Sequence, residues 1–170
     1  MVPTGTNSSV PGPYATATLG QMPGVTGGTA AGASNIGEYT TASIASAAAV
    51  ALVTTGTVTS IVSITLTPGD WDVWGSGYFQ ASSTAVLWGT MGVAVNNASN
   101  AFPANPSGGM AQLSLSSSGV SSLATSILGV GAVQFLSSAT MTAWLVANVL
   151  ASAGVASCSA YGIIQARRRR

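Results

Sequence analysis

The chain has no histidine and no lysine, and only seven of its 170 residues are charged. Four are the arginines at 167–170, and three are Glu38, Asp70 and Asp72. Without histidine no Ser-His-Asp arrangement can form, and without lysine the Schiff-base route is closed. Glu38, Asp70 and Asp72 are the only carboxylates, and with the commonest general base absent no catalytic residue and no enzymatic activity is expected. A single cysteine, Cys158, excludes an intrachain disulfide framework and a cysteine-based zinc site. It lies in an alternating stretch and is read as a small buried hydrophobe. There is no P-loop, dinucleotide fingerprint or metal-ligand spacing, so neither cofactor nor metal is expected.

The shortage of charge also bears on assembly. Ordinary soluble domains are about one quarter charged, whereas this chain is 4% charged. Surface charges of both signs normally keep copies apart. A chain so poor in them is expected to hide much of its surface in an assembly. Membrane insertion is a different way to hide it. The two long uncharged stretches, 39–69 and 73–166, are interrupted every few residues by Ser, Thr and Gly. Neither holds the roughly eighteen consecutive apolar residues of a spanning helix. A transmembrane β-barrel would show aromatic girdles, and here the aromatics cluster in one strand, so no membrane partner is expected. The N-terminus shows no basic region followed by an apolar core, and no signal peptide is expected. Asn7-Ser8-Ser9 and Asn97-Ala98-Ser99 match the N-glycosylation pattern but mean little without one.

What the chain does have is a run of short strands. In Ser63–Gln80, Ile64 and Leu66 alternate with Ser63 and Thr65. Thr67-Pro68-Gly69-Asp70 then supplies a tight turn, with Gly69 suited to a positive φ. Beyond it, Trp71, Val73 and Phe79 share one parity with Gly75 and Gly77. Asp72, Trp74, Ser76, Tyr78 and Gln80 share the other. Successive strand residues face opposite ways, so this strand carries aromatics on both faces. The second face is expected to be covered, most simply by a neighbouring subunit. Its glycines mark bulges or close approach of another backbone.

Residues 1–40 hold twelve Gly and Pro, too many for a helix or a central strand. They read either as a flexible leader or as an extended arm that orders on a partner. The scattered Val2, Val10, Tyr14, Leu19, Met22, Val25 and Ile36 favour the arm. Ile36–Tyr39 marks the start of the folded part, which occupies 41–170 as one domain. Residues 42–53 are alanine-rich but lack helix caps and a 3.6 period, and Val50, Leu52 and Val53 suggest a strand; Gly56 breaks it. Further strands are expected over 58–67, 71–81, 85–96, 110–115, 123–136 (interrupted by Gly129 and Gly131), 140–150 and 155–166. Residues 97–109 form a loop, with Phe102 pinning it to the body. Residues 116–122 form a serine-rich connection, and 151–154 a turn. About eight short strands with no helix make an all-β, antiparallel β-sandwich or jelly roll. The long connections fit Greek-key crossings better than a meander.

Three features invite a site, each with a plainer reading. Asp70 and Asp72 project to one side and could share a cation at a subunit interface, though two acids fall short of the ligands Ca²⁺ wants. The plainer reading has Asp70 capping the turn and Asp72 solvated or hydrogen-bonded. Arg167–Arg170 could neutralise a few phosphates, but with no aromatic platform and no sequence reading, so no nucleic-acid partner is expected. The plainer reading is a solubilising terminus, or a strand end whose arginines pair with acids of a neighbouring subunit. Trp71, Trp74, Trp88 and Trp144 could line a carbohydrate or receptor site, such as one for a host-surface glycan, but tryptophans spaced along strands more often serve a core or subunit interface.

Gly37-Glu38-Tyr39, the run Leu66-Thr67-Pro68-Gly69-Asp70-Trp71-Asp72-Val73, and Tyr161-Gly162-Ile163 with Ala166-Arg167-Arg168 carry a resemblance. Over residues 36–170 the chain resembles small structural proteins of tailed-phage and prophage virions. The resemblance implies a TNF-like jelly roll, a homotrimer, and display on the virion surface. It departs in its charge poverty and its four-arginine ending. With it, residues 1–40 become an anchor on the major capsid protein or another virion protein. Forty extended residues reach at most about 140 Å, short for a tail-fibre shaft. A capsid decoration protein or head fibre is therefore the preferred expectation. The alternative is a tail-fibre or receptor-binding tip protein that contacts the host surface.

Overall fold

The computed structural model describes residues 32, 36–52, 56–81, 87–104, 109–114, 120–121, 126–153 and 158–169. Nearly all of the expected arm lies outside the described residues, as do 105–108 of the expected loop and most of the serine-rich connection. Strands dominate what is described: β1 Tyr39–Ile44, β2 Val50–Ala51, β3 Thr59–Leu66, β4 Gly69–Ala81, β5 Leu87–Asn96, β6 Met110–Ser114, β7 Val120–Ser121, β8 Ser126–Ser137, β9 Met141–Ala153 and β10 Cys158–Arg168. Apart from the two-residue β2 and β7, that makes the eight strands the sequence suggests.

The strands form two antiparallel five-stranded sheets. One runs β1-β10-β4-β8 with β2 beside β10; the other runs β3-β9-β5-β6 with β7 beside β5. Among the described strands, β5 and β6 are the only sequence neighbours that pair, which excludes a meander. The chain otherwise keeps crossing from one sheet to the other. Thr67-Pro68 makes one such crossing: β3 ends at Leu66 in one sheet and β4 begins at Gly69 in the other. Gly69 takes a φ of 150° there, open to glycine and strained for other residues.

The core lies between the sheets. Leu66, Trp71, Val73, Phe79, Met91 and Leu145 are fully buried in it. Side chains of this size contribute roughly 1.5–3 kcal/mol each when fully buried. On β4 and β10 the inward positions alternate large and small. A Cβ on Gly75 would stand 2.7 Å from the Ile163 carbonyl oxygen, and one on Gly77 would stand 2.8 Å from Val93 Cγ2. One on Gly162 would meet the Ser76 carbonyl oxygen and Leu145 Cδ2. The glycines let the second sheet press onto the backbone of the first, the close approach their strand positions suggest.

Several boundaries differ from expectation. The stretch 42–53 is no single strand: the 3-10 turn Ser46–Ala48 separates β1 from β2. Gly129 and Gly131 do not interrupt β8. The strand runs through both and absorbs one extra residue as a bulge opposite Val73–Gly75. The expected turn at 151–154 is strand up to Ala153, because Ala151 and Ala153 pair with Trp88 and Leu87 of β5. The last strand extends past Ala166 to Arg168.

Candidate interaction face and its arginine latch

Inward and outward positions alternate along β10. Cys158, Ala160, Gly162, Ile164, Ala166 and Arg168 form the buried series. Arg168 is therefore directed inward at the base of the sandwich, with 4% of its surface exposed. A buried guanidinium is tolerable only if its donors are bonded and its charge is met. Both conditions hold. Its Nε donates to Glu38 Oε2 at 2.9 Å, Nη1 to the Pro68 carbonyl at 2.6 Å, and Nη2 to the Thr67 hydroxyl. The guanidinium carbon stands 4.4 Å from the centre of the Trp71 ring, in cation–π range.

The backbone closes the same cluster. Gly37 N–H donates to the Arg168 carbonyl, Arg168 N–H to the Glu38 carbonyl, and Arg169 N–H to the Asp70 carbonyl. Gly37 has a φ of 84°, which glycine adopts without strain. Trp71 Nε1 donates to the Thr67 carbonyl. One side chain thus joins the start of the folded chain, the β3–β4 crossing and the C-terminal strand.

The acids and arginines sort themselves by parity and depth. Asp70 is buried, and its carboxylate accepts from Gln134 Nε2 at 2.8 Å. Asp72 lies nearer the surface with Arg169 at 3.6 Å. Two of the arginines thus pair with acids of their own chain. Arg167 is exposed, beside a shallow open recess lined by Ile36, Gly37, Asp72, Arg168 and Arg169. No cluster of three His, Cys, Asp or Glu side chains occurs among the described residues. Cys158 is buried in the core, and desolvation pushes its thiol pKa up.

Above the latch, the outward face of β1-β10-β4-β8 is rich in rings. Tyr39, Trp74, Tyr78 and Tyr161 all lie on it. Trp74 Nε1 donates to Gln165 Oε1 at 2.8 Å, and Gln165 Nε2 donates to the Tyr39 hydroxyl. The Tyr39 and Trp74 rings are 6.4 Å apart, and Tyr78 and Tyr161 stack at 5.0 Å. On the edge strand β8, Ile127 and Leu136 project to the same side, 60% and 74% exposed.

The four tryptophans do not form one site. Trp71 is in the core and Trp74 is on this face. Trp144 is half-buried on the outward side of the other sheet. The side chain of Trp88 lies outside the described set.

The chain itself covers part of the opposite outward face, on which Leu150 remains 46% exposed. Residues 97–104 fold back over it. Phe102 lies above Gly92, where a Cβ would meet its ring at 3.1 Å. Asn100, at a φ of 52°, exchanges hydrogen bonds with Ser60 through its backbone N–H and side-chain oxygen. Asn96 Nδ2 donates to the Ala101 carbonyl. Phe102 pins the loop, as its place among prolines and asparagines suggests. No helix among the described residues is long and apolar enough to cross a membrane.

Residue-level reading of the sequence missed the inward role of Arg168. The signal was present in the period-2 pattern that ends Ile164, Ala166, Arg168.

No family model matches the chain, and no curated protein matches it. Among solved structures, one described as that of infectious bursal disease virus, Gx strain, aligns at a TM-score of 0.43 and 12% identity. The alignment covers 78% of this chain and 32% of that one, so this chain spans about a third of the other's length.

Proposed function

We propose that this chain is a structural protein of a tailed-bacteriophage virion, a trimeric jelly roll displayed on the capsid as a decoration protein or head fibre. Residues 1–40 anchor it to the major capsid protein or another virion protein. The observation that carries this reading is the latch. The resemblance to phage structural proteins rests on Gly37-Glu38-Tyr39, Leu66–Val73, and Tyr161-Gly162-Ile163 with Ala166-Arg167-Arg168, and the first, the second and the end of the third are far apart in sequence. In space they meet around one buried guanidinium, as segments of a single structural motif should.

The strand order supports the jelly-roll part of the reading. Two sheets ordered β1-β10-β4-β8 and β3-β9-β5-β6, with the chain passing repeatedly between them, follow the connectivity of a double Greek key wrapped on itself. Charge poverty supports the assembly. Neither an enzymatic role nor a nucleic-acid partner is part of the proposal. A test is gold labelling of intact particles with an antibody against residues 97–104, whose first four residues are exposed. Label spread over the head is expected. Label confined to the tail would replace decoration with the receptor-binding reading.

A further inference from the structure

Residues 97–104 cover part of one outward face of the sandwich, and no comparable loop among the described residues covers the other. We infer that copies of this chain pack on this other face, that of β1-β10-β4-β8. In that contact the edge strand β8 of one copy, with Ile127 and Leu136 exposed near its two ends, lies against the aromatic plate of Tyr39, Trp74 and Tyr161 on the next. This deepens the trimer reading above and rests on it.

Four observations choose a second copy as the occupant. The first is size. Strands about 4.8 Å apart, rising about 3.4 Å per residue, give this face on the order of 700 Å², close to the roughly 800 Å² per partner of a standard stable interface. Second, its charges lie at one end. Arg167, Asp72 and Arg169 sit at the base, and no charged residue occurs on β4 beyond Asp72 or on β8. A partner recognised by charge has nothing to engage there.

Third, the polar groups around Trp74 are already bonded to one another. Trp74 Nε1, Gln165 and the Tyr39 hydroxyl form one chain of hydrogen bonds, and Gln134 Nε2 is taken by Asp70. A sugar needs free donors and acceptors beside the stacking ring, whereas a flat apolar protein surface needs them satisfied in advance. Fourth, a closed ring of three requires a heterologous contact, in which two different patches of one chain meet. The face supplies two: a flat plate over β1, β10 and β4, and the exposed edge strand β8 with Ile127 and Leu136 near its ends.

The test is sedimentation of the full chain over a range of concentrations. Wild-type protein is expected at three times the 16.6 kDa chain mass. The double variant Ile127→Glu/Leu136→Glu is expected to need roughly a hundredfold more protein to assemble, since two apolar anchors are lost from the contact. Leu150→Glu, at an exposed outward position of the other sheet, should assemble like wild type. A folded double variant that remains trimeric would overturn this face and leave the trimer standing. A wild-type chain monomeric throughout would overturn both.

Hydroxyl-radical footprinting of unmodified protein gives a second readout that needs no variant. Oxidation of Trp74 and Tyr161 is expected to fall as the trimer forms, and equal oxidation in monomer and trimer would overturn the contact. Binding of wild-type protein to a glycan array, lost in the double variant without a change in oligomeric state, would assign the face to sugar instead.

Discussion

Strand β4 and its neighbour β10 have two sides built on opposite principles. The inward side is a jigsaw of Trp71, Val73 and Phe79 against glycines so crowded that an added methyl has nowhere to go. The outward side has rings and amides that touch one another but leave Ile127 and Leu136 in the open. The same contrast separates two adjacent arginines. Arg168, on the inward side, has its charge and donors enclosed; Arg169, next in the chain, meets Asp72 at 3.6 Å with about half its side chain exposed. Identical side chains one residue apart thus differ in worth because parity decides which is desolvated.

Removing Arg168 is the strongest way to test that contrast. Arg168→Ala leaves Glu38 without its cation and Trp71 without its cover, and is expected to cost about 3–5 kcal/mol in urea unfolding. Arg168→Lys keeps the charge but not the forked donors, and should recover only part of the loss. An alanine variant within 1 kcal/mol of wild type, on the order of the worth of an exposed pair, would mean that the latch carries no more than one.

Gly162→Ala probes the crowding from the other direction. Its Cβ would press on the Ser76 backbone and on Leu145, so about 1–3 kcal/mol of destabilisation is expected. Thermal unfolding of this variant beside Gly129→Ala checks the point, because a Cβ at Gly129 meets nothing nearer than 4.0 Å. Equal midpoints for the two would rule out the close approach.

Phe102→Ala bears on the difference between the two outward faces. Phe102 is half-buried, so the expected cost is about 2 kcal/mol, below that of a fully buried ring. Hydrogen exchange in β5 should rise with it, and unchanged exchange at Gly92–Val95 would show that the loop does not cover that part of the face. The smallest effect belongs to Arg169→Ala, expected within about 0.5 kcal/mol and shrinking further in salt.

Much of the architecture was legible in the sequence because this chain signals its strands by alternation. Thr59–Leu66, the two parities of 71–80, and Thr142–Val149 stand in the structure where their patterns place them. The signal weakened where side chains are small. Ala151-Ser152-Ala153 resembles a turn by composition, yet pairing with β5 draws it into β9, a tertiary contact overriding local preference. Gly131 suggested a break and supplied a bulge.

Local pattern also gave no sign that Thr67-Pro68 carries the chain between sheets, since a turn has the same residues whichever sheet receives it. The parity of β4 already set Trp71 and Trp74 on opposite faces, and the structure keeps them there, one in the core and one outward. The arginine run read as a charge feature because four like residues draw attention to their sum. The fold instead treats them one at a time.

The hydrogen bond between Gly37 and Arg168 has a practical side for anyone grafting cargo onto this scaffold. It holds the first and last residues of the sandwich side by side, so a peptide fused after the last strand would emerge beside the segment proposed as the anchor and crowd that contact. The far end, near the short turn Ser46–Ala48, is the better place to insert it. The same proximity suits the body to circular permutation: a short linker could join the two ends, and a new opening at that turn would leave β10 and its partners intact.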